Sequence, residues 1–320
     1  MRSEAAPARY SVVVPVYGNE QTIPELIDEC GRLAVELDGR LEVVFVVDGS
    51  PDGSLILLRR LLADSKSFTA QLIALSRNFG SFSAIRAGIA AAEGELIAIM
   101  AADLQEPISL IQDFFRALAS GRYDIAVGTR ISRSDPMASM VTSRAFWGLF
   151  RRMGQPDIPR GGADVFACTR QVASQLIRLD ESHTSLIGLL YWVGFRRCEI
   201  PYERRPRPVG KTAWRFRRKL RYLLDSLFSF TDIPIMAITA IGMIGVIVSA
   251  GVAIAVLVAW LTSGIAVAGY TPIMLAIVFT ASSVLVSLGV IGSYVWRTYE
   301  NTKGRPGAIA MTHERFPSAP

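Results

Sequence analysis

Along roughly the first third of the chain, short apolar runs alternate with segments whose apolar residues recur every three or four positions. Ser11 to Val16 reads as a strand, after which Ile23, Leu26, Ile27, Cys30, Leu33, Ala34 and Leu37 follow helical spacing. The alternation continues with a strand over Leu41 to Val47, a helix over Leu55 to Leu62, a strand over Leu72 to Ser76, a helix over Ser83 to Ala92, a strand over Leu96 to Met100 and a helix over Ile108 to Ala119. This succession predicts an α/β domain with a mostly parallel, doubly wound sheet, and such sheets bind ligands at the carboxyl ends of their strands. Polar residues gather at four of those ends: Pro15 to Glu20, Asp48 to Asp52, Ser76 to Gly80 and Asp103 to Pro107.

Past residue 232 the pattern changes. No Asp, Glu, Lys, Arg or His lies between Asp232 and Arg297, and the stretch divides into Ile233 to Leu261 and Tyr270 to Trp296 around Thr262, Ser263 and Gly264. Each run exceeds the roughly 20 apolar residues that cross a bilayer, which predicts a two-helix transmembrane hairpin. Arg215, Arg217, Arg218, Lys219 and Arg221 precede it and Arg297, Lys303 and Arg305 follow it, so both ends are expected on the cytoplasmic face of the cell membrane. Phe216, Leu220, Leu223, Leu224 and Leu227 share a helical face opposed by Arg217, Arg218 and Arg221, and Phe146, Trp147, Leu149, Phe150 and Met153 alternate with Arg144, Arg151 and Arg152. Both segments read as helices lying in the membrane interface, with core packing as the alternative. The expected organisation is a cytoplasmic catalytic domain over 1–212, an amphipathic juxtamembrane helix over 213–232, two spans over 233–297 and a cytoplasmic tail over 298–320. Gly242 and Gly245, like Gly289 and Gly292, permit close helix packing, leaving a homo-oligomer open.

The net charge of +6 fits this division, because much of the basic excess flanks the expected spans. Anionic headgroups attract each Lys or Arg there by about 1 kcal/mol, and the lipid bilayer, not nucleic acid, is the expected partner. Cys30, Cys168 and Cys198 are widely spaced and form no CxxC, which excludes a disulfide framework and a zinc site. Met1 to Tyr10 is polar and lacks the apolar core of a signal peptide, so the catalytic domain is expected to stay in the cytosol. No GxGxxG follows the first strand, which removes the main support for a dinucleotide oxidoreductase.

The runs VVVPVYGNE, VVDGSPDGS, LSRNFG, ADLQEP and GTR, followed by RPVGKTAW and GVIGSYVWRTYENTKGRP, resemble the family 2 glycosyltransferases that load a sugar onto a polyprenyl phosphate, the dolichol-phosphate mannose synthase and bactoprenol glucosyltransferase group. The resemblance extends from Ser11 to about Ile309. It implies a GT-A type, Rossmann-like nucleotide-sugar domain followed by interfacial helices and the C-terminal hairpin. It implies a UDP- or GDP-sugar donor, a polyprenyl phosphate acceptor and a Mg²⁺ or Mn²⁺ ion held by Asp103 and Gln105, hard oxygen donors suited to such a cation. On the same basis Pro15, Tyr17, Glu20, Asp48, Ser76 and Arg77 bind the nucleotide sugar. Arg130, Arg144, Arg207 and Lys211 face phosphate groups, Asp103, Arg130 and Arg144 being the expected catalytic set, and Asp164 orients one of the arginines. Plainer roles stand beside these: a turn for Pro15 and Tyr17, ion pairs for Arg77, Arg130 and Arg144, headgroup contact for Arg207 and Lys211, and a helix cap for Asp164.

Asp103 and Gln105 stand two apart in what reads as an extended segment, so both side chains are expected on one side. The chain departs from the group at Val47 and Ala101, where most members carry Asp. Each acidic pair is halved, which weakens the expected hold on the metal and keeps a non-catalytic membrane scaffold as one alternative. A processive polysaccharide synthase is the other, although its Gln-x-x-Arg-Trp motif is missing. A phosphate monoester has a second pKa near 6, so the acceptor is largely dianionic at neutral pH and needs no strong base. Direct attack by it would invert the anomeric configuration.

Overall fold

A computed structural model of the chain describes residues 9–65, 67–131, 165–179, 185–205 and 270–318, with helical positions at 235, 238–245, 247–248, 251, 254 and 258. The elements run β1 (Tyr10–Val16), α1 (Ile23–Glu36), β2 (Leu41–Val47), α2 (Ser54–Asp64), β3 (Thr69–Leu75), α3 (Ser81–Ala91), β4 (Leu96–Ile99), α4 (Ile108–Ala119), β5 (Ile125–Arg130), β6 (Phe166–Thr169), α5 (Arg170–Arg178), α6 (Leu186–Trp192), β7 (Arg197–Tyr202), α7 (Tyr270–Thr302) and β8 (Ala310–Phe316). They form one eight-stranded sheet in the order β7-β5-β6-β4-β1-β2-β3-β8. The pairs β1–β2, β1–β4, β2–β3 and β5–β7 are parallel; β6 is antiparallel to β4 and β5, and β8 is antiparallel to β3.

Every residue of β2 is buried, and so is every residue of β1 except Pro15. Near-continuous apolar strands of this kind need helices on both faces of the sheet. One face carries Ile23, Leu26, Leu33, Leu58, Ile111 and Phe114, from α1, α2 and α4. The other carries Ile85, Ile89, Val172, Leu176 and Leu189, from α3, α5 and α6. The chain moves outward from β1 through β2 to β3, then returns to place β4 on the other side of β1. That reversal places the switch point at the carboxyl ends of β1 and β4, where doubly wound sheets bind ligands.

The C-terminal residues expected as a tail instead contain β8, which covers the exposed edge of β3. Its sequence, AMTHERF, has no apolar alternation because an edge strand facing water does not require one. Among the described residues no helix is long and apolar enough to cross a membrane. The first expected span is described only at scattered positions; the second falls within α7, a helix of 33 residues. All three cysteines are free, with Cys30 and Cys168 buried. Burial pushes both thiols up to about 12, so neither ionises near neutral pH.

Candidate active site

The four polar loops expected at the strand ends are joined by hydrogen bonds. Glu20 and Asp52 tie the β1 loop to the β2 loop reciprocally: the Gly53 N–H donates to Glu20 Oε2 at 2.8 Å, and the Glu20 N–H donates to Asp52 Oδ2 at 3.1 Å. Ser50 Oγ accepts from the Gly18 N–H at 2.8 Å and donates to Asp52 Oδ1 at 2.6 Å. Burial pushes the Asp52 carboxyl upward, but hydrogen bonds from Ser50, Ser54 and the Glu20 N–H outweigh it and hold the group below its ordinary value. Pro15 is half-buried at the end of β1, while Tyr17 is 46% exposed.

Asp48 is only 3% exposed and accepts two backbone hydrogen bonds from the next loop, from Phe79 N–H at 2.7 Å and Gly80 N–H at 2.9 Å. The neighbouring Gly49 has φ +57°, and a Cβ there would overlap the Arg77–Asn78 peptide. Ser76 and Arg77 are exposed on this clamped loop, with the Arg77 guanidinium 4.0 Å from the Phe79 ring centroid. The carboxylate of Asp48 therefore shapes the Ser76–Gly80 loop, whatever else it meets.

The β4 loop differs from the extended segment expected for it. Leu104 has φ +56° and residues 102 and 103 lie in a turn, so Asp103 and Gln105 do not share one side of a strand. A left-handed residue between them breaks the two-residue alternation. The turn instead sends the Gln105 N–H to Asp103 Oδ1 at 3.3 Å and Gln105 Nε2 to the Arg205 carbonyl at 3.3 Å. The Arg205 N–H returns to the Gln105 carbonyl at 2.9 Å. On the other side Thr22 Oγ1 donates to the Ala102 carbonyl at 2.7 Å, fixing this loop against the start of α1.

Behind the loop lies a charged cluster that the sequence did not single out. Glu106 is 4% exposed, with Oε1 4.0 Å from Arg204 Nε. Burial and then the Asp103 charge raise its carboxyl, opposed by Arg204 and Arg130. The Tyr202 phenol is likewise raised, by burial first and then by Glu106. Glu106 was visible within ADLQEP, but Tyr202 and Arg204 come from the far end of the domain and carry no local signal. The structure thus brings Asp103, Gln105 and Arg130 around Glu106. Arg144, Asp164, Arg207 and Lys211 lie outside the described residues.

Asp103 and Gln105 supply hard oxygen donors, and Glu106 Oε2 is a buried carboxylate oxygen with no hydrogen-bond partner among the described residues. This set fits a Mg²⁺-like ion, which takes one or two carboxylates and completes its shell with substrate phosphate and water. No group of three or more His, Cys, Asp and Glu residues that could hold a metal occurs among the described residues.

Residues 11–177 match the family described as glycosyl transferase family 2. An uncharacterised glycosyltransferase of Synechocystis is 33% identical over 92% of this chain and 92% of its own length. A prophage bactoprenol glucosyl transferase homolog of Escherichia coli is 28% identical over 94% of this chain and 98% of its own. Among solved structures, a mannosyltransferase of Pyrobaculum calidifontis in complex with GDP-Man and Mn²⁺ is 19% identical over 88% of this chain and 87% of that one, with a TM-score of 0.48. With its doubly wound sheet, its linked strand-end loops and a family match over more than half its length, the chain belongs to glycosyltransferase family 2 and is a glycosyltransferase.

Proposed function

We propose that the enzyme transfers one sugar from a nucleotide-diphosphate sugar to a polyprenyl phosphate at the cytoplasmic face of the cell membrane, with inversion at the anomeric carbon. The observation that carries this reading is the β4 loop: Asp103 and Gln105 stand at the switch point between β1 and β4, with Arg130 and Arg204 beside them around Glu106. The donor's base and ribose lie along the β1, β2 and β3 loops, against Pro15, Tyr17, Glu20 and the Ser76–Arg77 turn. A divalent cation bound by Asp103 and Gln105 would neutralise charge on the donor diphosphate. Arg130, with Arg144, Arg207 and Lys211, holds the acceptor phosphate against its repulsion from that diphosphate.

An oxygen of the acceptor phosphate attacks the anomeric carbon as the carbon–oxygen bond to the diphosphate breaks, and the nucleoside diphosphate leaves with the electron pair. An α-linked donor gives a β-linked glycolipid. No side chain must remove a proton, because the attacking phosphate is already largely dianionic at neutral pH. This is why Ala101 is compatible with catalysis.

The membrane part of the reading rests on exposed apolar surface. Ile273, Ile277, Val284, Leu285, Leu288, Ile291 and Val295 of α7 are exposed, as are Ile241, Ile244, Ile247 and Val248 of the preceding helical positions. Apolar surface this extensive is not left in water. α7 carries this surface along its 33 residues, most of which belong to the uncharged stretch that ends at Arg297. Lys303 lies over the Tyr299 ring at 4.3 Å, an aromatic and basic end suited to a headgroup layer.

Transfer of radiolabelled sugar into an organic-extractable lipid tests the proposal, using purified protein, undecaprenyl or decaprenyl phosphate, a panel of UDP- and GDP-sugars, and Mg²⁺ or Mn²⁺ against a chelator. Metal-dependent label from one donor is expected. No label from any donor, beside an active relative, would turn the reading toward a non-catalytic scaffold, and an α-linked product from an α-linked donor would defeat the single-displacement step.

A further inference from the structure

We infer that the C-terminal segment Ala308–Phe316 is a positioning element of the donor site, fixing the Ser76–Gly80 loop to the end of helix α7. The inference rests on the proposed contact between this loop and the nucleotide sugar. The Ser76 N–H donates to the Ile309 carbonyl at 2.9 Å, the first of three attachments along the loop. Gly49 packs against the Arg77–Asn78 peptide, and Asp48 accepts from Phe79 and Gly80. Two attachments come from the β2 loop and one from the C-terminus, so the loop is complete only when β8 is in place.

The start of β8 is shaped for this contact. Thr312 pairs with Ala74 and Ala310 with Leu75, leaving Met311 as an extra residue on β8. Such a bulge bends its strand and re-aims the residues next to it. Here it lies beside the carboxyl end of β3, where Ile309 turns to Ser76 and Ala308 packs against the core.

The anchor is a polar chain running across four strands, buried at Ser11, Glu42 and Gln71 and reaching the surface at the exposed His313 of β8. His313 Nε2 meets Gln71 Oε1 at 2.5 Å. Gln71 Nε2 donates both to Glu42 Oε1 at 2.5 Å and to the Ala91 carbonyl at 2.9 Å. Both amide hydrogens are thereby used, so Gln71 Oε1 accepts and His313 Nε2 carries the proton. Glu42 Oε2 accepts from Ser11 Oγ at 2.7 Å and from the Glu93 N–H at 2.7 Å. Ser11, Glu42 and Gln71 are 0%, 1% and 1% exposed. Covering a sheet edge requires no such buried chain; selecting one register of β8 does. A shift of two residues would keep the strand paired but move Ile309 away from Ser76.

Helix α7 ends at Thr302, and Gly304 with φ +57° turns the chain toward β8. Six residues separate Thr302 from Ile309, and the seven steps between them, at most about 3.5 Å each, span roughly 25 Å. A lipid-facing helix is thus tied to the donor loop by a short connection.

The test compares His313→Ala, His313→Gln and Arg59→Ala in the full chain. Arg59 binds Glu314 at the surface, at 2.6 and 2.8 Å, and its loss removes a β8 contact without touching the buried chain. In His313→Ala, amide exchange across residues 76–80 is expected to accelerate about tenfold and the donor KM to rise about fivefold, with kcat within twofold. His313→Gln, which keeps an N–H donor, is expected to restore both, and Arg59→Ala to leave both unchanged. If His313→Ala unfolds, His313→Leu keeps the bulk and removes only the donor. Unchanged exchange at 76–80, or a fall in kcat with KM unaltered, would overturn the inference. Should the wild-type protein transfer no sugar, the function reading fails separately, while amide exchange still decides whether β8 holds the loop.

Discussion

Asp48→Asn separates two roles for the buried carboxylate at the end of β2. The carboxylate accepts from Phe79 and Gly80 at 2.7 and 2.9 Å, and the side chain is 3% exposed. Hydrogen bonds to a charged group contribute about 1.5–3 kcal/mol each. Asparagine retains one acceptor and turns an NH₂ toward the other N–H, so one bond is lost and a donor faces a donor. The two amides are only part-buried, which moves the expected cost to the low end, about 2–3 kcal/mol. For a domain of this size each kcal/mol lowers Tm by about 2–4 °C, giving a fall of about 4–12 °C in a thermal unfolding scan of detergent-solubilised protein. The donor KM should rise in parallel as the Ser76–Gly80 loop loosens. A Tm within 1 °C of wild type together with weakened donor binding would refute this reasoning, because Asp48 would then be a ligand contact and not a loop tie.

Four further outcomes are expected. Glu106→Gln replaces the buried carboxyl group between Arg204, Arg130 and Asp103, and steady-state assays should show kcat/KM lower by about 10- to 100-fold, or about 1.4–2.7 kcal/mol of transition-state stabilisation. Asp103→Asn should abolish metal-dependent transfer, and titration with Mn²⁺ followed by paramagnetic resonance should show weaker cation binding in the presence of nucleoside diphosphate. Asp52 has a folded-state value below the unfolded one, so its stabilising contribution is full above the unfolded pKa near 3.9 and is lost as pH falls through the lower folded value. Asp52→Asn should accordingly lower Tm at pH 7, with the gap from wild type closing in acid. Iodoacetamide at pH 8 should leave Cys30 and Cys168 unlabelled in the folded protein, since burial holds both near 12, and mass spectrometry should find label first at the half-buried Cys198.

The central elements were legible in the sequence because their signals are local. β2 is found over Leu41–Val47 and α4 over Ile108–Ala119, the ranges that apolar periodicity predicts. β1 to β4 lie within a few residues of their expected positions, since a strand buried on both faces must be continuously apolar. The same reasoning placed Asp48 and Asp103 at strand ends, where ligands of such sheets bind. The sequence alone also determined the uncharged stretch between Asp232 and Arg297 and the absence of a cysteine framework.

Tertiary structure decided what depends on distant partners. Whether Leu104 adopts a left-handed conformation is set by ties to Thr22 and Arg205, which lie far away in sequence. Glu106 reads as one more polar residue until β7 and its end bring Tyr202 and Arg204 against it. β8 was hidden because an edge strand buries little and owes its place to pairing with β3 and to Gln71. Local periodicity records which side a residue must bury; only the assembled sheet records which remote residue it meets there.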